Sequence, residues 1–312
     1  MRSRWGWRGW LALGVALALL GWVVRNLVSG RGVGNLVSSF RNQVSGAPFT
    51  TPFGVVVGDL PVTAAQLDAL GPVWYMDYRW STPTLAGHQR LYTVRCGEVK
   101  PDRGAILAAM RAGGPSAWWS LGNEPNDPHQ DNVSAEEYAG LYALFENWAA
   151  AARCHVVPAG IANADWNWAA AFREAFRRQI GRYPRVDAWN IHNYILEPGL
   201  DPYDGKEFQR RILAFRRWME SIGDGGKPLL LTEFGVLYGS GCCGRPVDPP
   251  ARVQAFLRES VDWLAQSGQV SAWSWFATDA GPYNGSLLTP TGELNALGQQ
   301  YRDLLEEASS KK

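Results

Sequence analysis

Two glutamates in this sequence stand immediately behind apolar runs, one in Trp119-Ser120-Leu121-Gly122-Asn123-Glu124-Pro125-Asn126 and the other in Leu230-Leu231-Thr232-Glu233-Phe234-Gly235. A carboxylate at the end of a buried segment is costly unless it opens into a polar mouth or meets matched partners. Either glutamate alone reads most simply as a charge at a strand end. The two together read as a working pair. One protonated carboxyl and one ionised carboxylate, facing each other across about 5–5.5 Å, are what cleavage of a glycosidic bond with retained configuration needs. The first protonates the departing oxygen while the second attacks the anomeric carbon.

That chemistry requires a scaffold that brings residues 124 and 233 together. Short apolar runs at 53–57, 73–78, 91–96, 117–121, 154–159, 186–192, 229–232 and 271–276 alternate with amphipathic helical patterns. This alternation is the signature of βα units around a parallel sheet, whose strands are apolar throughout because both faces are covered. Helix starts are marked by the capping pairs Ser134 with Glu137 and Asp204 with Glu207, and by Pro101 and Pro250 at first-turn positions. Apolar stripes follow at helical spacing: Tyr138, Leu141, Tyr142, Phe145, Trp148 and Ala152 in one helix, and Phe208, Ile212, Phe215, Met219 and Ile222 in another. The predicted fold is therefore α/β, a (β/α)8 TIM barrel. Its second βα unit is shortened, because residues 81–89 contain Pro83 and Gly87 and leave no room for an ordinary helix. An open doubly wound sheet would call for a glycine-rich phosphate loop between its first strand and helix; no GxxxxGK spacing occurs, and the GxGxxG match Gly239-Ser240-Gly241-Cys242-Cys243-Gly244 stands behind the seventh apolar run, not the first. The strand count puts Glu124 after strand four and Glu233 after strand seven, at the barrel end where catalytic groups converge.

On these residues the chain resembles the clan A retaining glycoside hydrolases. Gly122-Asn123-Glu124-Pro125 resembles their acid/base motif and Thr232-Glu233-Phe234-Gly235 their nucleophile motif. His192-Asn193-Tyr194 after strand six, Trp273-Ser274-Trp275 on strand eight and Leu288-Thr289-Pro290-Thr291-Gly292 before the last helix agree with it more loosely, so that the likeness runs from about residue 51 to the end. The resemblance implies a retaining hydrolase of β-linked oligo- or polysaccharide, with Glu124 as acid/base and Glu233 as nucleophile. It also implies that Asn123 bonds the sugar 2-hydroxyl, that His192 and Tyr194 line the floor with one of them bonding the nucleophile, and that Trp275 stacks on the sugar. Trp273 is assigned to the core. The arginine that clan members often carry near the nucleophile has no secure match, and Arg79 stands in its place. Asn126, Asp127, Asp131, Asn132, Trp166 and Trp168 read first as solvated loop and helix-packing residues, with further sugar subsites as the alternative. Two other activities use the same features: a catalytically silent cell-surface carbohydrate-binding protein, and a transglycosylase that passes the same intermediate to another sugar.

The 312 residues carry 30 basic and 29 acidic side chains, a net charge of +1, so the basic surplus that nucleic acid binding needs is missing. Sixteen tryptophans are many for this length, and core packing accounts for most of them. His88, His129 and His155 lack metal-ligand spacing and the cysteines lack CxxC spacing, so neither metal nor cofactor is expected. Arg2, Arg4 and Arg8 precede an apolar run over 10–24 that Arg25 closes, the pattern of a targeting segment. Residues 1–28 are read as a hydrophobic helix expected to act as signal anchor or signal peptide. Trp10 and Trp22 at the ends of the run favour an anchor held in the membrane. Residues 29–50 are read as a flexible linker and 51–312 as the catalytic domain, lying outside the cytoplasm. Cys96, Cys154, Cys242 and Cys243 are compatible with disulfides there, in a connectivity that the sequence leaves open.

Overall fold

A computed structural model of the chain describes residues 48–237 and 250–310. The hydrophobic targeting segment, most of the linker, and Cys242 and Cys243 lie outside these residues. In chain order the elements are β1 (Phe53–Val56), α1 (Ala64–Leu70), β2 (Trp74–Asp77), β3 (Arg90–Val94), α2 (Arg103–Gly113), β4 (Trp118–Asn123), α3 (Ala135–Ala152), β5 (His155–Gly160), α4 (Trp166–Ile180), β6 (Trp189–Asn193), α5 (Gly205–Ser221), β7 (Leu229–Phe234), α6 (Pro250–Ser267), β8 (Ala272–Phe276) and α7 (Ala296–Ser310). Each of the eight expected strands is present, within three residues of its expected ends.

All paired strands are parallel, in the order β5-β4-β3-β2-β1-β8-β7-β6. The barrel closes between β5 and β6 through sparser backbone bonds: Asp187 N to Val156 O at 3.0 Å, Ile161 N to Asn190 O at 3.3 Å and His192 N to Ile161 O at 2.9 Å. Between β2 and β3 there is no helix. The connection is clamped instead by the buried guanidinium of Arg90, which bonds the Asp77 carboxylate and the carbonyls of Arg79 (2.6 Å) and Thr82 (2.7 Å). Trp80 and Leu85 pack over the outer face that a helix would have covered.

Alternation along each strand sorts side chains into two layers. Val56, Trp74, Met76, Leu91, Trp118, Val157 and Leu230 fill the barrel interior. Tyr75, Trp119, Leu121, Val156, Trp189, Ile191 and Leu231 face outward onto the helices. Trp74 crosses the interior only because its partner on β1 is Gly54, where a Cβ would lie 2.3 Å from the indole ring. Phe49 stacks on the Trp74 ring at 4.3 Å and is buried, so the folded unit starts earlier than residue 51. Tyr138, Leu141, Tyr142, Phe145, Trp148 and Ala152 are all buried, as the helical stripe required. Ser134 Oγ accepts from Glu137 N, and Asp204 Oδ1 accepts from Lys206 N and Glu207 N. The Glu207 side chain does not close the second capping box, because it is taken by Arg210 and Arg211. Cys96 and Cys154 are buried free thiols, and no described helix is long and apolar enough to cross a membrane.

Candidate active site

β4 delivers Glu124 at the barrel mouth by a local departure from strand geometry. Gly122 has φ 88°, and Glu124 itself is left-handed at φ 44°, a conformation that costs a non-glycine residue about 1–2 kcal/mol. The tertiary fold holds it there: Glu124 N donates to Gly160 O at 3.0 Å, and the following loop is stapled by Asp131, which accepts from Asn123 N, Cys96 N and Arg95 Nε. Strain of this kind, kept in place by neighbours, is characteristic of functional positions.

β7 solves a different problem. Thr232 and Glu233 are consecutive, so simple alternation would turn one of them out of the barrel. The register of β7 slips against both neighbours: Ile191 pairs with Leu231, yet His192 pairs with Glu233. This bulge aims both side chains inward, a common use of bulges beside active sites. Thr232 Oγ1 meets His192 Nε2 at 3.0 Å, and Glu233 Oε2 lies 3.5 Å from His192 Nδ1.

The carboxyls of Glu124 and Glu233 thus flank one imidazole. Glu124 Oε1 is 2.9 Å from His192 Nδ1, and donor atoms of Glu124, His192 and Glu233 all lie within 4.8 Å of one another. They are, among the described residues, the one group of three such donors close enough to share a cation. Glu124 Oε1 and both Glu233 oxygens are already hydrogen-bonded by protein groups. Tyr194 donates to Glu233 Oε2 at 2.8 Å, and Tyr78 donates to Glu233 Oε1. Burial and the Glu233 charge push both phenols well above their ordinary range, so both remain donors.

Burial raises the Glu233 pKa above the ordinary carboxylate range; the positive field of His192 opposes this, Glu124 adds to it, and the two tyrosine bonds oppose it. His192 moves upward too: burial would lower it, but Glu233 and then Glu124 outweigh burial. The proton positions follow from the chain of bonds. Thr232 Oγ1 donates to Asn190 Oδ1 at 2.7 Å, so it accepts from His192 Nε2, which therefore carries a hydrogen. Nδ1 then shares a single proton with Glu124 Oε1. Either the imidazole is neutral and Glu124 protonated, or the imidazole is cationic and Glu124 ionised. Space for the ring comes from Gly160, where a Cβ would lie 2.0 Å from His192 Nε2.

Of the residues expected at the site, Glu124, Glu233, His192 and Tyr194 are brought together, with Asn123 next to Glu124 in the chain. Asn123 is buried with Nδ2 on Gln130 Oε1 at 3.1 Å, while its Oδ1 has no protein partner. Trp275 is not at the mouth. It is fully buried on the helix-facing side, donates to Gly285 O at 2.8 Å and packs edge-on against Phe234. Trp273 and Trp275 share a face, and that face is the outer one. The inward positions of β8 are Ala272, Ser274 and Phe276, and the half-buried Phe276 ring stands at right angles to Tyr194, 6.2 Å away. Arg79 is also elsewhere, with its guanidinium on the carbonyls of Gly58 and Asp59. The early-strand side chain beside Glu233 is Tyr78 instead. It is the first residue beyond β2 and so occupies an informative position, but it belongs to none of the motifs noted in the sequence. Asp131 and Asn126 prove to be loop staples, the latter exchanging two hydrogen bonds with the Ala162 backbone. Trp168 packs on Tyr138 and Phe172.

Comparison with known proteins points the same way as the geometry. A family model described as glycosyl hydrolase catalytic core matches residues 74–301. The fold is similar to a GH128 subgroup II endo-β-1,3-glucanase from Sorangium cellulosum (TM-score 0.64, 23% identity, 81% of this chain and 98% of that one). It is also similar to a subgroup I endo-β-1,3-glucanase from Amycolatopsis mediterranei solved with laminaritriose (TM-score 0.63, 22% identity, 81% and 99% covered). A third similar structure is a subgroup III curdlan-specific exo-β-1,3-glucanase from Blastomyces gilchristii solved with glucose (TM-score 0.62, 20% identity, 82% and 99% covered). At these identities the likeness speaks for the barrel fold. No curated protein sequence gives a significant match.

Proposed function

Since this chain belongs to the glycosyl hydrolase catalytic core family, we propose that it is a retaining β-1,3-glucanase in which Glu233 is the nucleophile and Glu124 the acid/base. The observation that carries this reading is the convergence of the two carboxyls within 4.8 Å. Retaining enzymes hold their pair at about 5–5.5 Å, whereas inverting enzymes leave about 6.5–9.5 Å for a water molecule. The β-1,3 linkage is taken from the three structural relatives, which include both endo- and exo-acting enzymes. A purely carbohydrate-binding role would have no need for two opposed carboxyls sharing a histidine.

Each step has a residue to perform it. Glu233, kept ionised and aimed by Tyr78 and Tyr194, attacks the anomeric carbon. The leaving oxygen takes the proton held between Glu124 and His192, and a glycosyl-enzyme forms. In the second half Glu124 removes a proton from water, which displaces Glu233 with configuration retained. Asn123, directly before Glu124, takes the sugar 2-hydroxyl by its place in the motif, a contact that strengthens as positive charge develops on the ring. The basic and apolar N-terminal run supports an extracytoplasmic site, tethered or secreted.

A fluorinated, activated β-laminaribioside tests the reading. It should inactivate the enzyme with time, and peptide mapping should find the sugar on Glu233. A label on another residue, or no turnover of any β-1,3-glucan by the full chain, would refute it.

A further inference from the structure

Of the twelve described tryptophans, only Trp166 is exposed, at 40% of its surface. It stands in a groove of about 580 Å³ lined by Asn126, the turn 162–167, Glu197, Leu200, Arg210 and Arg211. That volume lies within the range of small-molecule sites, about 300–1,000 Å³. Asp165 caps α4 by accepting from Asn167 N and Trp168 N, which fixes Trp166 as the first helical residue. The preceding turn holds two consecutive non-glycine residues, Asn163 (φ 55°) and Ala164 (φ 49°), in the left-handed region. Backbone of this kind in a residue such as Ala164 concentrates where a particular path serves binding. A flat exposed indole beside amides, a guanidinium and a carboxylate is the surface chemistry that pyranose rings recognise.

The groove is tied to the reaction centre from both sides. Asn126, two residues beyond Glu124, is locked to the Ala162 backbone by bonds of 2.9 and 3.2 Å. The buried Arg211 bonds Glu207 and Glu197 with Nε and Nη2, each at 2.7 Å, and the carbonyl of Tyr194 with Nη1 at 2.8 Å. Its walls are the connections after β4, β5 and β6, on the Glu124 side of the mouth. The side chains holding Glu233 include Tyr78, from beyond β2. A leaving group departs on the side of the acid that protonates it.

We propose that this groove is a leaving-group subsite, in which Trp166 stacks on glucosyl units on the reducing-end side of the cleaved bond in a β-1,3-linked chain. The assignment rests on the proposed hydrolase reading and adds a binding residue to it. Full-length wild type, Trp166→Ala and Trp166→Phe are compared on laminarihexaose and on an aryl β-laminaribioside whose leaving group is not a sugar. Trp166→Ala should lower the ratio of kcat/KM on the hexaose to that on the aryl substrate about tenfold, on the scale of one aromatic stacking contact. Trp166→Phe should restore most of the ratio. An unchanged ratio with active wild type overturns the groove assignment alone, whether Trp166→Ala leaves both substrates untouched or slows them equally. Wild type inactive on both substrates overturns the parent reading, and the subsite with it.

Discussion

Replacing Tyr78 by Phe removes one oxygen from the reaction centre and leaves the ring to pack as before. Its hydroxyl donates to Glu233 Oε1, and this bond favours the ionised carboxylate. Burial already holds the Glu233 pKa above the ordinary carboxylate range, so loss of the bond moves it further up. Because Glu233 must be ionised to attack, the acidic limb of the kcat/KM profile moves to higher pH. A hydrogen bond to a charged group contributes about 1.5–3 kcal/mol, and one pKa unit corresponds to 1.36 kcal/mol. The expected displacement is therefore about one to two pH units, with Tyr194 still donating at 2.8 Å. The assay is kcat/KM against pH on an aryl β-laminaribioside, since this ratio reports titrations of the free enzyme. The loss of activity should be greatest on the acid side, by about 10- to 100-fold, and smaller on the plateau. An acidic limb that stays in place or moves downward, in a variant that unfolds at the wild-type temperature, would refute the assignment of Glu233 as the ionised nucleophile held by Tyr78.

Two further substitutions probe the supports of the site. Gly160→Ala puts a methyl group 2.0 Å from the original position of His192 Nε2; with both ring nitrogens already bonded, the imidazole is displaced. The expected result is a fall in kcat with little change in KM, because the proton shared with Glu124 loses its partner; wild-type kcat would show that the ring position is immaterial. Trp275→Ala should destabilise the fold by about 3–5 kcal/mol, as truncation of a fully buried indole does, and denaturant unfolding measures it. A raised KM at unaltered stability would instead return Trp275 to the cleft.

The sequence by itself determined the eight βα units, the shortened second unit and the glutamates at the ends of strands four and seven. These are legible because period-two and period-3.6 patterns, capping residues and strand ends are local properties. Asn123, Glu124, His192 and Tyr194 were legible for the same reason, each standing in a short motif behind an apolar run. Which way a side chain faces is not local. Trp275 and Phe276 are neighbours in the chain, and only the closed barrel decides that the second faces the mouth and the first the helices. The slip in β7 that turns Thr232 and Glu233 inward together exists only against β6 and β8. Tyr78, Gly160 and the Trp166 groove likewise gain their meaning from partners dozens of residues away, which chain spacing does not encode. A one-residue shift in register reverses the face of a strand residue, so the tertiary pairing had to decide which side chains meet the substrate.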